Sequence, residues 1–107
     1  MARLTTDVIV SAALRQAAIC GIFAAILRKG DERAGTIFLE VEKSPSEMRL
    51  LARQMNYENE YEWVCITGEG WVSHADIQDR LSREIEYDPD CWIISVQDRE
   101  GRNIFAL

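Results

Sequence analysis

Histidine, proline and glycine are scarce in this chain: one, two and six among 107 residues. So little Gly and Pro excludes a collagen-like or linker-like polymer. The lone His74 has no Ser or Cys nucleophile at a recognisable spacing, so a nucleophile–imidazole pair is not expected. Cysteines number three, Cys20, Cys65 and Cys91, widely spaced and without a Cys-x-x-Cys pair. An odd count argues against a secreted disulfide framework and for reduced thiols in the cytoplasm. Each lies in an apolar run, where free cysteine packs as a small hydrophobe. A zinc site would have to gather all three and His74 from four separate elements, so no metal is expected. Clustered base is missing too. The densest basic stretch, Arg28 to Arg33, is diluted by Asp31 and Glu32, so neither nucleic acid nor an anionic membrane surface is an expected partner. No uninterrupted apolar run reaches membrane length. Val8–Leu27 comes closest, but Arg15 and Gln16 sit at its middle, and Arg there costs roughly 2.5–3.5 kcal/mol on insertion scales. Gly21 then divides it, and Asp7 interrupts any signal-peptide entry.

What is present describes one globular domain over residues 1–107. The chain is 48% apolar and 28% charged, with nine aromatic residues to build a core, and this length leaves no room for a second one. The net charge of −6 is unevenly placed. Residues 1–53 carry eight Lys/Arg against six Asp/Glu, and residues 54–107 carry four against twelve. Acidic excess of this kind favours solubility first.

Hydrophobic periodicity and turn chemistry give the element order. Thr5-Thr6-Asp7 offers N-caps for a helix through Val8–Cys20, with Gly21 at the position that ends it. On that helix Asp7, Ser11 and Arg15 form a polar stripe so thin that cover on most sides is expected. Ile22–Leu27 reads as a strand and Arg28–Gly35 as a loop. Strands follow at Thr36–Glu42, Met48–Arg53 and Tyr61–Thr67, separated by Ser44-Pro45-Ser46 and by Asn56–Glu60. Their short spacing predicts an antiparallel meander. Ser73 with Asp76 is a capping-box variant, and Val72 with Ile77 its hydrophobic staple. Ile77, Leu81 and Ile85 give the buried face of the helix that follows, to about Tyr87, and Asp88-Pro89-Asp90 stops it. Cys91–Gln97 is nearly continuously apolar, hence an interior strand buried on both faces. Asp98–Arg102 is a turn, and Ile104-Phe105 is read as a last short pairing. The result is an α+β fold in the order α-β-β-β-β-α-β, a mainly antiparallel sheet with helices packed on one face.

Several blocks taken in order carry a resemblance. They are Arg3–Asp7 running into Val10–Arg15, Phe23–Asp31, Ala34-Gly35, Tyr87–Trp92 and Asp98–Arg102. Together they resemble the family of small alphaproteobacterial proteins called domain of unknown function 1491. The resemblance spans nearly the whole chain and implies a bacterial cytoplasmic protein. It brings no catalytic, cofactor or ligand residues.

Candidate chemistry is sparse. Asp88 and Asp90 flank Pro89 and could hold a divalent cation or divide acid and base roles, but Asp-Pro-Asp is also ordinary turn chemistry. Gly68-x-Gly70 before a helix lacks the third glycine and the Lys-Ser/Thr pair of nucleotide loops. Glu58, Glu60 and Glu62 alternate along one face, as a solvated edge or as a docking surface for a basic partner. Arg15, in an otherwise apolar helix, needs a partner such as Asp7 or Asp31, an anionic ligand or a second protomer. Trp71, between two glycines' reach and a helix cap, could stand exposed as a binding anchor. The expected function is a non-enzymatic interaction or scaffold module without cofactor, a homodimer through the apolar first helix or a sheet edge. The alternative is a small-ligand or enzyme site built from Arg15, Asp31, His74, Asp88 and Asp90.

Overall fold

The computed structural model describes residues 4–107, and Arg3 of the first resembling block lies outside the described residues. Helix α1 (Thr6–Ile19) is followed by strands β1 (Phe23–Arg28), β2 (Ile37–Ser44), β3 (Glu47–Met55) and β4 (Tyr61–Cys65), then by helix α2 (His74–Tyr87) and strand β5 (Trp92–Gln97). This is the element order read from the sequence. Ile104–Ala106 forms a short 3-10 turn, not the last strand pairing expected there. The Asn103 side chain caps that turn by accepting from the Phe105 amide at 2.9 Å.

The five strands form one sheet in the order β1-β5-β2-β3-β4. Pairs β1–β5, β2–β3 and β3–β4 are antiparallel, and β2–β5 is parallel. The meander therefore holds only from β2 to β4. Strand β5 returns from α2 and inserts between β1 and β2, which puts β1 at an edge. The reason lies in side-chain chemistry: β5 presents Trp92, Ile93, Ile94 and Val96, all buried, and a strand apolar on both faces belongs in the interior.

The two helices lie on opposite faces of the sheet rather than on one. Ile37, Leu39 and Val41 of β2, with Trp92, Ile94 and Val96 of β5, pack against Val10, Ala13 and Ala17 of α1. Phe38, Met48, Leu50, Ala52, Cys91 and Ile93 pack against Ile77 and Leu81 of α2. Because β2 and β5 are apolar on both sides, one helical layer would leave half of these side chains in water. Each buried Leu, Ile or Phe contributes roughly 1.5–3 kcal/mol relative to exposure, so two layers win.

Local signals fix the ends. Ser73 Oγ accepts from the Asp76 amide at 3.2 Å, while Asp76 Oδ2 accepts from the Ser73 amide at 3.3 Å, completing the capping box. Gly35 lies so close to the β5 entry that an added Cβ would sit 2.5 Å from the Asp90 carbonyl and 2.8 Å from the Trp92 indole. That close approach lets the loop before β2 dock on the α2–β5 turn.

Candidate functional site

Asp31, Asp88 and Asp90 do come together, as a junction of two loops. The Asp31 amide donates to the Asp90 carbonyl at 2.9 Å. Asp31 Oδ2 accepts from the Arg33 and Ala34 amides at 3.1 and 2.9 Å. Its carbonyl accepts from Trp92 Nε1 at 2.8 Å. Asp88 Oδ1 accepts from the Asp90 amide at 3.2 Å, and Arg28 Nη2 donates to the Pro89 carbonyl at 2.7 Å. These groups are engaged with backbone and hold the loops in place, which is the turn chemistry of Asp and Pro. Among the described residues, no three His, Cys, Asp or Glu side chains form a group able to hold a metal ion.

Arg15 and His74 lie elsewhere. His74 opens α2, at the other end of that 14-residue helix from Asp88, about 20 Å away along the axis. Arg15 is exposed, and so are Val8, Ser11, Ala12, Gln16 and Ile19 on the same helix. The thin polar stripe of α1 does not signify cover on most sides: only Thr6, Val10, Ala13 and Ala17 are buried. Small alanines, rather than a surrounding shell, make that helix look apolar. Trp71 does not stand free either. It is half-buried, with the Arg49 guanidinium 3.8 Å and the Lys43 ammonium 5.3 Å from its ring centre. Gly101 packs beneath it so closely that a Cβ there would lie 2.6 Å from the indole.

Glu40 is a residue that pattern reading passed over. It sits mid-sheet in β2, 5% exposed, between Leu50 and Ser95 on the neighbouring strands. Ser95 Oγ donates to Oε1 at 3.4 Å, while Oε2 has no partner among the described residues. Burial raises its carboxyl above the usual carboxylate range, offset in part by His74 and Ser95. The available signal was that β2 is a central strand, so a polar side chain on either face had to be enclosed.

The sheet's two edges differ sharply. At β1 the outward chain carries Phe23, Ile26 and Leu27, exposed by 63%, 44% and 56%, with no charge before Arg28. Its register on β5 is regular from Phe23 to Ile26 and slips only after that. Beside it, Leu27, Leu81, Ile85 and Ile93, together with Arg28, Gln78 and Ser82, line a groove of about 270 Å³ between the strand and α2. At β4, Glu62 is exposed, and Glu58 and Glu60 are exposed in the turn leading into the strand. Carboxylates on an edge oppose pairing with another strand.

Sequence and structure comparisons agree with one another. The family profile described as "Protein of unknown function (DUF1491)" matches residues 4–106. A crystal structure of a DUF1491 family protein from Caulobacter crescentus is similar with 32% identity, covering 96% of this chain and 94% of that one, at a TM-score of 0.84. An NMR structure of a family protein from the same organism gives 30% identity, 97% and 94% coverage and a TM-score of 0.83. A solution structure of a protein from A. tumefaciens gives 26% identity, 90% and 86% coverage and a TM-score of 0.76. No curated protein matches the chain. Among the described residues, no helix is long and apolar enough to cross a membrane.

Proposed function

The chain belongs to the DUF1491 family, whose description assigns no activity, and we propose that it is a cytoplasmic, non-enzymatic interaction module that pairs with a second copy of itself through β1. One observation carries this reading: β1 is an edge strand with exposed Phe23, Ile26 and Leu27 and without a guarding charge along Phe23–Leu27. Unpaired backbone donors and acceptors on such an edge recruit another strand.

Two arguments favour a second copy as the occupant. Antiparallel self-pairing centred on Ala25 sets Phe23 opposite Leu27 of the second copy, and Ala24 opposite its Ile26. Directly opposite side chains lie about 4.5–5.5 Å apart at Cβ, so each Phe23 falls beside the other copy's groove of Leu27, Leu81, Ile85 and Ile93. Apolar cavities of roughly 150 Å³ hold benzene, so a groove of about 270 Å³ has room for the phenyl ring. The second argument is electrostatic. With a net charge of −6, two copies repel unless they meet on a neutral surface. Pairing at β1 keeps Glu58, Glu60 and Glu62 at the far edges, about 19 Å across each sheet from β1 at ~4.8 Å per strand. A reducing compartment suits the three free thiols.

The separation of Arg15 and His74 from the Asp31–Asp88–Asp90 junction supports a binding module over an enzyme site assembled from those five residues. Size-exclusion chromatography with light scattering tests the reading. Wild type should elute at twice the 12.2 kDa of one chain, and Phe23→Glu at one chain's mass with its circular dichroism unchanged. Wild type at one chain's mass at high micromolar concentration overturns it.

A further inference from the structure

We propose that the cleft between the start of α1 and the β3–β4 hairpin binds a small organic anion: a carboxylate or phosphate oxyanion on an aromatic or short aliphatic body. The cleft holds about 610 Å³ and is lined by Leu4, Thr6 and Ile9 at the start of α1, by Arg33 of the loop before β2, and by Arg53, Glu60 and Tyr61 of the β3–β4 hairpin. That volume falls within the usual range for small-molecule sites, roughly 300–1,000 Å³.

Arg53 is the central group. It projects from β3 opposite Trp63 of β4, with its guanidinium 3.7 Å from the centre of the Tyr61 ring. Stacking on Tyr61 fixes the plane of the fork, and partial burial strips it of some water, so the cation calls for an anion. Neither Arg53 nor Arg33 forms an ion pair among the described residues, and residues 1–3 contain no acid. Arg33 is held at the rim by its backbone, because its carbonyl accepts from the Thr6 amide and from Thr6 Oγ1, both at 3.2 Å. The Arg53 fork, with Arg33 also in the lining, suits an oxyanion that accepts parallel N–H bonds. Leu4, Ile9 and Tyr61 supply an apolar wall for the body behind the headgroup. Glu60 is the one carboxylate in the lining. It leaves a net positive cleft for a single headgroup and repels a polyanion. The site lies on the β3–β4 side of the sheet, so its occupancy is independent of pairing at β1.

Amide chemical-shift titrations with phenyl phosphate, phenylacetate and inorganic phosphate test this assignment. Saturable shifts confined to residues of the cleft, with either organic anion, are expected. Binding should weaken at least tenfold in Arg53→Gln and in the exposed variant Arg33→Gln, whose fold does not depend on that side chain. Inorganic phosphate, lacking the body, should bind at least tenfold more weakly than phenyl phosphate. Absence of saturable shifts with both organic anions overturns the proposal. So does binding unchanged in Arg33→Gln and Arg53→Gln, or inorganic phosphate binding as tightly as phenyl phosphate.

Discussion

The two edges of this sheet, β1 and β4, are built from the same backbone chemistry and treated oppositely by the sequence. Both present a row of unpaired N–H and C=O groups. At β4 the row is flanked by exposed Glu58, Glu60 and Glu62, which make approach by another acidic chain costly. At β1 the neighbours are Phe23, Ile26 and Leu27 beside the groove that Leu81, Ile85 and Ile93 help to line. A protein that needed only to stay monomeric would have guarded both edges. The difference locates the proposed association surface without any motif, and it sets three carboxylates of the acidic second half, Glu58, Glu60 and Glu62, at the edge across the sheet from β1.

Breaking the comparison at β1 has the largest expected effect. Replacing Phe23 and Leu27 together by Glu makes β1 resemble β4 and should weaken self-association at least 100-fold, about 2.8 kcal/mol, measured by sedimentation equilibrium. Gly35→Ala tests whether the interface and the fold are separable. Its Cβ meets the Asp90 carbonyl and the Trp92 indole, so chemical denaturation should show about 1–3 kcal/mol of lost stability, with the oligomeric mass at 25 °C unchanged.

Glu40→Gln examines the centre between the edges. Burial raises the Glu40 carboxyl above its usual range, so the folded state holds this proton more tightly than the unfolded chain does. Stability from this group is therefore fully present below the ordinary carboxylate range and is lost as pH rises through the raised value. Glutamine keeps the acceptor for Ser95 and carries no charge. It should add about 1 kcal/mol at pH 7, and the gain should vanish near pH 4 in parallel urea titrations. The smallest effect on stability is expected at β4. Glu60→Val with Glu62→Val should change unfolding free energy by less than about 0.5 kcal/mol, yet light scattering should now register species larger than a dimer, because a second edge has been opened.

Much of the fold was legible because it is encoded locally. The Ser73–Asp76 box, the Val72–Ile77 staple and the Ile77–Leu81 face define α2 within a few residues of sequence. The resemblance to the family was likewise carried by blocks spread over the chain. What local pattern cannot convey is which strands become neighbours. Inserting β5 between β1 and β2 depends on burying Ile93 and Ile94 on opposite faces at once, and that same demand sends the helices to opposite sides. The apolar run Cys91–Gln97 already implied cover on both faces, which a one-sided helical layer could not supply. Side-chain exposure is hard to read from the sequence for a related reason. Arg15 drew notice because its neighbours are apolar, but alanines at a helix surface bury little. Glu40 and Arg53 drew none, because exposure in a strand is set by its neighbours in the sheet rather than by its own alternation. Asp88 and Asp90 read as a turn and Asp31 as part of a separate loop; their meeting across 57 to 59 residues of chain brings the Arg28–Gly35 loop onto the end of α2.

The most direct measurement is the molar mass of the native protein in solution, by light scattering across a concentration series into the high micromolar range, beside Phe23→Glu. Pairing at β1 predicts twice 12.2 kDa for the native chain and a single chain's mass for the variant. A native chain that stays at 12.2 kDa throughout, or a variant that remains paired, would contradict it.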